Sequence, residues 1–192
     1  MNFKIIVILL VAVQWIGCGT EEKPNSESQE IEKTTDKLVI DYSEDELFSL
    51  SNELEENLLD TTKSNDYKNN SFKMLDLSQV FVSRFPESKN LRNIIKKGSR
   101  AAHGLGQERE AIRLINISIE KFSNDTTIIE EMNLKAFLYD KLNDKANARI
   151  AYQAIIDKFP NNPSSVKHKE RLKTLDLTDE ELLKHFEKIN AK

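Results

Sequence analysis

Apolar and polar positions fall into three regimes along this chain. Ile5 to Ile16 (IIVILLVAVQWI) is one apolar run, broken only by Gln14. From Gly19 to Lys37 the only large apolar residue is Ile31. Such a stretch cannot bury enough surface to offset its ordering entropy, so it predicts a disordered tether. Beyond it, apolar residues recur at the three- and four-residue intervals that share one helix face. Glu44 to Leu59 reads as a helix, opened by Ser43 with Glu46 three residues later, a capping box. Ser71 to Phe85 reads as its partner, with Met74, Leu75, Leu77, Val80, Phe81 and Phe85 apolar. The link between them, Asp60 to Asn70, is long for a helix-pair turn. After Pro163 a helix runs to about Leu175, and a last one starts at Thr178 with Glu181 three residues on. Leu182, Leu183, Phe186 and Ile189 give that last helix one apolar stripe. Lys184, His185, Glu187 and Lys188 supply the polar outer face that a terminal cap needs. After the tether, glycine occurs only at 98, 104 and 106, and proline only at 86, 160 and 163. Strand-like alternation is missing, which predicts an all-α class.

The helical patterns repeat. Arg84-Phe85-Pro86, Lys121-Phe122-Ser123 and Lys158-Phe159-Pro160 are separated by 37 residues each. Leu105-Gly106-Gln107 followed by Ala111 matches Leu142-Asn143-Asp144 followed by Ala148 at the same step. A fixed period of this size, with two helices per unit, is a solenoid signature. The pattern resembles tetratricopeptide repeats, over roughly Phe72 to Leu175. The resemblance implies an α-α superhelix of helix pairs. It also implies packing roles for Ala136, Tyr139, Ala148, Tyr152 and Pro160 in the unit from about 127 to 160, and for Ala111 and Ile115 in the unit from about 90 to 123. Small Ala136 and Ala148 let antiparallel helices approach closely, and Pro160 stops the second helix because it has no backbone N–H. The family lines its groove with the first helix of each pair. That places Asn93, Lys96, Arg100 and His103 on the groove from one unit, and Glu130, Asn133, Phe137, Asp140 and Lys141 from the next. A partner segment with an acidic end and an apolar side chain would suit this mixture.

The amino-terminal run carries Lys4 before it and small Gly17 after it, the layout of a secretory signal. It is too short for a stable membrane span, which needs about 20 residues. Cys18 is the only cysteine in 192 residues, so neither an intramolecular disulfide nor a multi-thiolate metal site is possible. Trp15-Ile16-Gly17-Cys18 resembles the lipobox of bacterial lipoproteins, with Trp15 where leucine is usual. The resemblance implies cleavage before Cys18 and acylation of its sulfur. Two or more acyl chains anchor a protein stably. Gly19, where an aspartate often marks inner-membrane retention in such lipoproteins, implies the outer membrane. Glu21 and Glu22 fit a surface-export cue as well as an ordinary solvated linker. The expected organisation is a signal peptide at 1–17, a lipidated cysteine and tether at 18–42, and a helical-repeat domain at 43–192 whose residues 163–192 form capping helices. The flexible tether has a typical end-to-end distance of ~25 Å.

Charge and chemistry narrow the function. The chain has 28 basic and 32 acidic residues, and loss of Lys4 with the leader widens the acidic excess by one. An acidic chain without a basic run argues against general nucleic-acid binding and against holding an anionic bilayer by charge. His103, His168 and His185 form no HExxH arrangement, and no phosphate loop, GxSxG elbow or EF-hand loop is present. Paired carboxylates such as Glu55-Glu56, Glu130-Glu131 and Glu180-Glu181 read as solvated helix faces. Asp-Thr-Thr triplets at Asp60 and Asp125 resemble a bacterial O-glycosylation acceptor, in a pattern short enough to arise by chance. The expected function is therefore a non-catalytic protein-interaction scaffold without metal or cofactor, lipid-anchored in the bacterial cell envelope, whose partners are envelope proteins. The alternative is a surface lipoprotein that captures a host protein or nutrient, and a hydrolase ranks third.

Overall fold

The computed structural model describes residues 42–60 and 66–190. The leader, Cys18, almost all of the tether, and Thr61 and Thr62 of the first Asp-Thr-Thr triplet lie outside the described residues. Among the described residues there are eight α-helices and no strand. They are α1 (Glu44–Leu59), α2 (Tyr67–Arg84), α3 (Leu91–Gly104), α4 (Glu108–Lys121), α5 (Ile129–Lys141), α6 (Lys145–Lys158), α7 (Pro163–Thr174) and α8 (Asp179–Asn190). A 3-10 turn, Thr126–Ile128, leads into α5. Each helix from α1 to α6 packs on the next, and α1 also meets α3. The result is a stack of helix pairs in which odd-numbered helices are the first of each pair.

Local chemistry explains the boundaries. Ser43 and Glu46 cap α1 reciprocally: the Ser43 N–H donates to Glu46 Oε2 at 2.7 Å, and the Glu46 N–H donates to Ser43 Oγ at 3.4 Å. The α3–α4 and α5–α6 turns each contain one residue in the left-handed region, Gly106 (φ 74°) and Asn143 (φ 55°). Glycine and asparagine tolerate that conformation and let the chain reverse tightly. The three aromatic residues set 37 apart close helices alike. Phe85, Phe122 and Phe159 each donate their N–H four residues back, to Phe81, Ser118 and Ile155, at 2.8, 2.9 and 2.8 Å. Proline accordingly is not what ends the middle one, because Ser123 follows Phe122. Pro160 itself is exposed, two residues past the end of α6. It acts on Phe159, which it excludes from the helical region.

The core follows the repeat. One cluster joins α1 to α4, with Leu47, Met74, Leu77, Phe81, Ile94, Ile95, Leu114 and Ile115 fully buried or nearly so. A second lies between α5, α6 and the end of α7 and includes Ala136, Ala148, Tyr152, Ile155 and Leu175. Ile119, Phe122 and Tyr139 pack against both clusters and join them.

Two expectations need correction. The second helix starts at Tyr67, not Ser71. The added turn, Tyr-Lys-Asn-Asn, has no apolar period, but the Tyr67 hydroxyl sits over Gly104, where an added Cβ would lie 2.4 Å from it. The last helix does not turn its stripe inward. Leu183, Phe186 and Ile189 remain 61, 51 and 53% exposed. The link from Leu175 to Thr178 has no left-handed residue of the kind that folds α4 and α6 back on their partners.

Gly98 marks the closest helix approach. A Cβ there would stand 2.1 Å from Ser78 Oγ and 2.4 Å from Ser78 Cβ. Gly98→Ala should lower stability by about 1–3 kcal/mol, the usual cost of overpacking. Urea unfolding should show the lower midpoint, and adding Ser78→Gly should restore part of the loss.

Candidate interaction face

Side chains bridge neighbouring first helices, and every junction between them is held by a cation. At α1–α3, Lys97 is buried, and its Nζ lies 2.5 Å from Asn52 Oδ1 and 3.0 Å from Glu55 Oε2. At α3–α5, Arg92 makes a fork: Nε to Glu131 Oε1 at 2.7 Å and Nη2 to Glu131 Oε2 at 3.1 Å. Its Nη1 reaches Asp125 Oδ2 at 2.5 Å and Thr127 Oγ1 at 2.7 Å. At α5–α7, Arg171 grips Asp140 with both Nε and Nη2 at 2.6 Å, and the Tyr152 hydroxyl donates to the same carboxylate at 3.1 Å. Bidentate guanidinium–carboxylate pairs fix orientation as well as supplying energy. The Arg171 guanidinium holds the Asp140 carboxyl below the usual carboxylate range. Burial, with the Asp140 charge behind it, pushes the Tyr152 phenol up to about 12.

The structure brings the groove candidates onto this face but uses most of them internally. Lys96 pairs with Glu130 at 2.6 Å, and Lys141 pairs with Glu108 at 2.6 Å. Asn133 Oδ1 lies 2.6 Å from His168 Nε2, and its Nδ2 donates to Ser164 Oγ at 3.3 Å. The His168 ring stacks 4.8 Å from Tyr152, and burial lowers its pKa, which suits a neutral ring donating through Nε2. His103 sits edge-on to Phe137, with ring centroids 5.7 Å apart. Asn93 and Arg100 are exposed, Arg100 forms no ion pair among the described residues, and Phe137 is half-exposed. Arg100 also lines a cleft of about 170 Å³ with Leu58, Tyr67 and Met74. Among the described residues no group of three His, Cys, Asp or Glu side chains could hold a metal, and no helix is long and apolar enough to cross a membrane.

The packing candidates take two kinds of place. Ala111, Ile115, Ala136 and Ala148 are fully buried, Tyr152 nearly so, and Tyr139 partly, while Pro160 is exposed. Sequence reasoning missed two further periodic features. Ser88, Asp125 and Asn162, also 37 apart, each accept from the N–H two residues on, at 2.9, 2.8 and 2.9 Å, and so start α3, the turn before α5, and α7. Lys121 and Lys158 donate back to the carbonyls of Pro86 and Ser123, the residues that follow the preceding unit's phenylalanine. The 37-residue step that exposes the Lys-Phe triplets would also have found both.

Residues 134–162 match the tetratricopeptide repeat family. The matched segment begins within α5, spans α6 and ends just before α7. The stacked pairs are thus tetratricopeptide-like repeats, a kind of module that typically binds proteins and is not catalytic. No curated protein and no solved structure matches the chain.

Two outcomes follow from the junctions. Arg92→Met strands the Glu131 carboxylate, whose side chain is only 3% exposed, and should cost about 3–5 kcal/mol. Arg92→Met with Glu131→Leu should cost much less, and chemical unfolding distinguishes them. The raised Tyr152 pKa gives stability that is complete below pH ~10 and is lost as pH rises toward 12. Tyr152→Phe should therefore flatten that alkaline decline in thermal melts.

Proposed function

We propose that this protein is a lipid-anchored, non-catalytic scaffold of the bacterial cell envelope that holds a protein partner on its first-helix face. The observation that carries the reading is the tetratricopeptide repeat match at 134–162, on a stack whose first helices are bridged to one another by ion pairs. Arg100 and Phe137 are its exposed cation and its half-exposed aromatic ring. A segment with a carboxylate and an apolar side chain complements them. The anchor rests on the lipobox-like Trp15-Ile16-Gly17-Cys18, and Gly19 favours the outer membrane over inner-membrane retention. The tether then carries the repeats clear of the lipid headgroups. Glu21 and Glu22 support a second reading, a surface-exposed lipoprotein that captures a host protein or nutrient.

Cross-linking in living cells, followed by identification of what co-purifies, tests the partner. An envelope protein whose capture falls several-fold with Arg100→Glu and Phe137→Ala supports the scaffold. Unchanged capture by that double variant refutes the face. Metabolic labelling with palmitate should be abolished by Cys18→Ser, and protease accessibility on intact cells separates a periplasmic from a surface-facing domain.

A further inference from the structure

Another side of the stack carries a different feature. Between α4 and α6 an open cleft of about 160 Å³ runs over α5. Ile119, Met132, Tyr139, Ile150 and Ala154 line it, with Lys135 as its one charged residue. Met132, Lys135 and Tyr139 lie at three- and four-residue intervals, so they occupy a side of α5 other than that of Asn133, Phe137 and Asp140. Ile150 is 67% exposed on the cleft wall. The Lys135 ammonium lies 5.9 Å from the Tyr139 ring centroid and has no carboxylate partner among the described residues. Burial alone pushes its pKa down. A half-buried cation among apolar side chains is an unsatisfied group that an incoming carboxylate would complete.

The same chain presents the complement. The α8 stripe of Leu183, Phe186 and Ile189 is more than half exposed, and α8 packs extensively on no other helix. Glu187, next to Phe186 and four residues after Leu183, borders that stripe and has no ion pair among the described residues. The α6 wall of the cleft, Asn147 to Ala154, spans about 10 Å, and the stripe from Leu183 to Ile189 spans about 9 Å of α8, so the lengths suit one another.

We propose that α8 of one copy lays its stripe into the α4–α6 cleft of a second copy, with Glu187 meeting Lys135. One such contact is small against the ~1,600 Å² of a standard interface. Reciprocal exchange about a two-fold axis makes two contacts and closes the assembly as a dimer. This surface lies between the second helices α4 and α6, over the side of α5 away from Asn133, Phe137 and Asp140, and does not depend on the first-helix face.

Sedimentation velocity of the full chain in detergent, over a wide concentration range, is the test. A monomer–dimer equilibrium is expected. Lys135→Glu alone and Glu187→Lys alone should each weaken it at least tenfold while the helical circular dichroism is kept. The two substitutions together should restore it, because the pair is then reversed. Phe186→Asp, on an exposed position, should also weaken it and guards against misfolding at Lys135. A monomer at every concentration, open-ended assembly, or a dimer indifferent to these variants overturns the proposal.

Discussion

The structure depends on how closely successive helices can approach. At Gly98 the α3 backbone comes so near α2 that Ser78 occupies the space a Cβ would need. Ser78 also donates its hydroxyl to the Met74 carbonyl at 2.7 Å, satisfying a polar group that has no access to water. Fully buried alanines on α3 to α6 (Ala102, Ala111, Ala136 and Ala148) are small enough to allow close packing along the stack. Helices this near bury their larger neighbours, among them Phe81, Leu114 and Ile155, completely. The tight turns at Gly106 and Asn143 are the local condition for that approach, since a longer link would let the pair splay.

Once the pairs form, each still has an uncovered side, and the next pair must cover it. The charged clasps decide the register of that stacking. Lys97, Arg92 and Arg171 each tie one first helix to the neighbouring first helix, and Lys121 and Lys158 tie successive loops. A misplaced unit would leave Lys97 or Glu131 buried without a partner, which is costly. Consequently the face is polar in composition yet largely self-satisfied, and Arg100 and Phe137 are exposed on it outside the ion pairs.

The two faces of the stack differ physically. The first-helix face is crossed by ion pairs that fix its side chains. Away from that face, α4, α5 and α6 leave an apolar cleft with a lone lysine, and the terminal helix leaves an apolar stripe exposed. A solenoid end normally needs a polar surface, because nothing stacks on it. Here the end helix keeps its apolar stripe in the open.

Much of this was written locally in the sequence. The capping box at Ser43 and Glu46, the reversals at Leu105-Gly106 and Leu142-Asn143, and the 37-residue echo of Phe85, Phe122 and Phe159 all act within a few residues of themselves, so spacing alone exposes them. The all-α class followed from the same short-range periodicity. What sequence could not show depends on residues thirty or more positions apart. Tyr67 joins a helix because of Gly104, and Asp140 is taken up by Arg171, Lys96 by Glu130 and Asn133 by His168. Periodicity locates a helix face but not its tenant, because the tenant is supplied by the next unit. Sequence placed the side chains on a groove; tertiary packing decided which of them are already occupied.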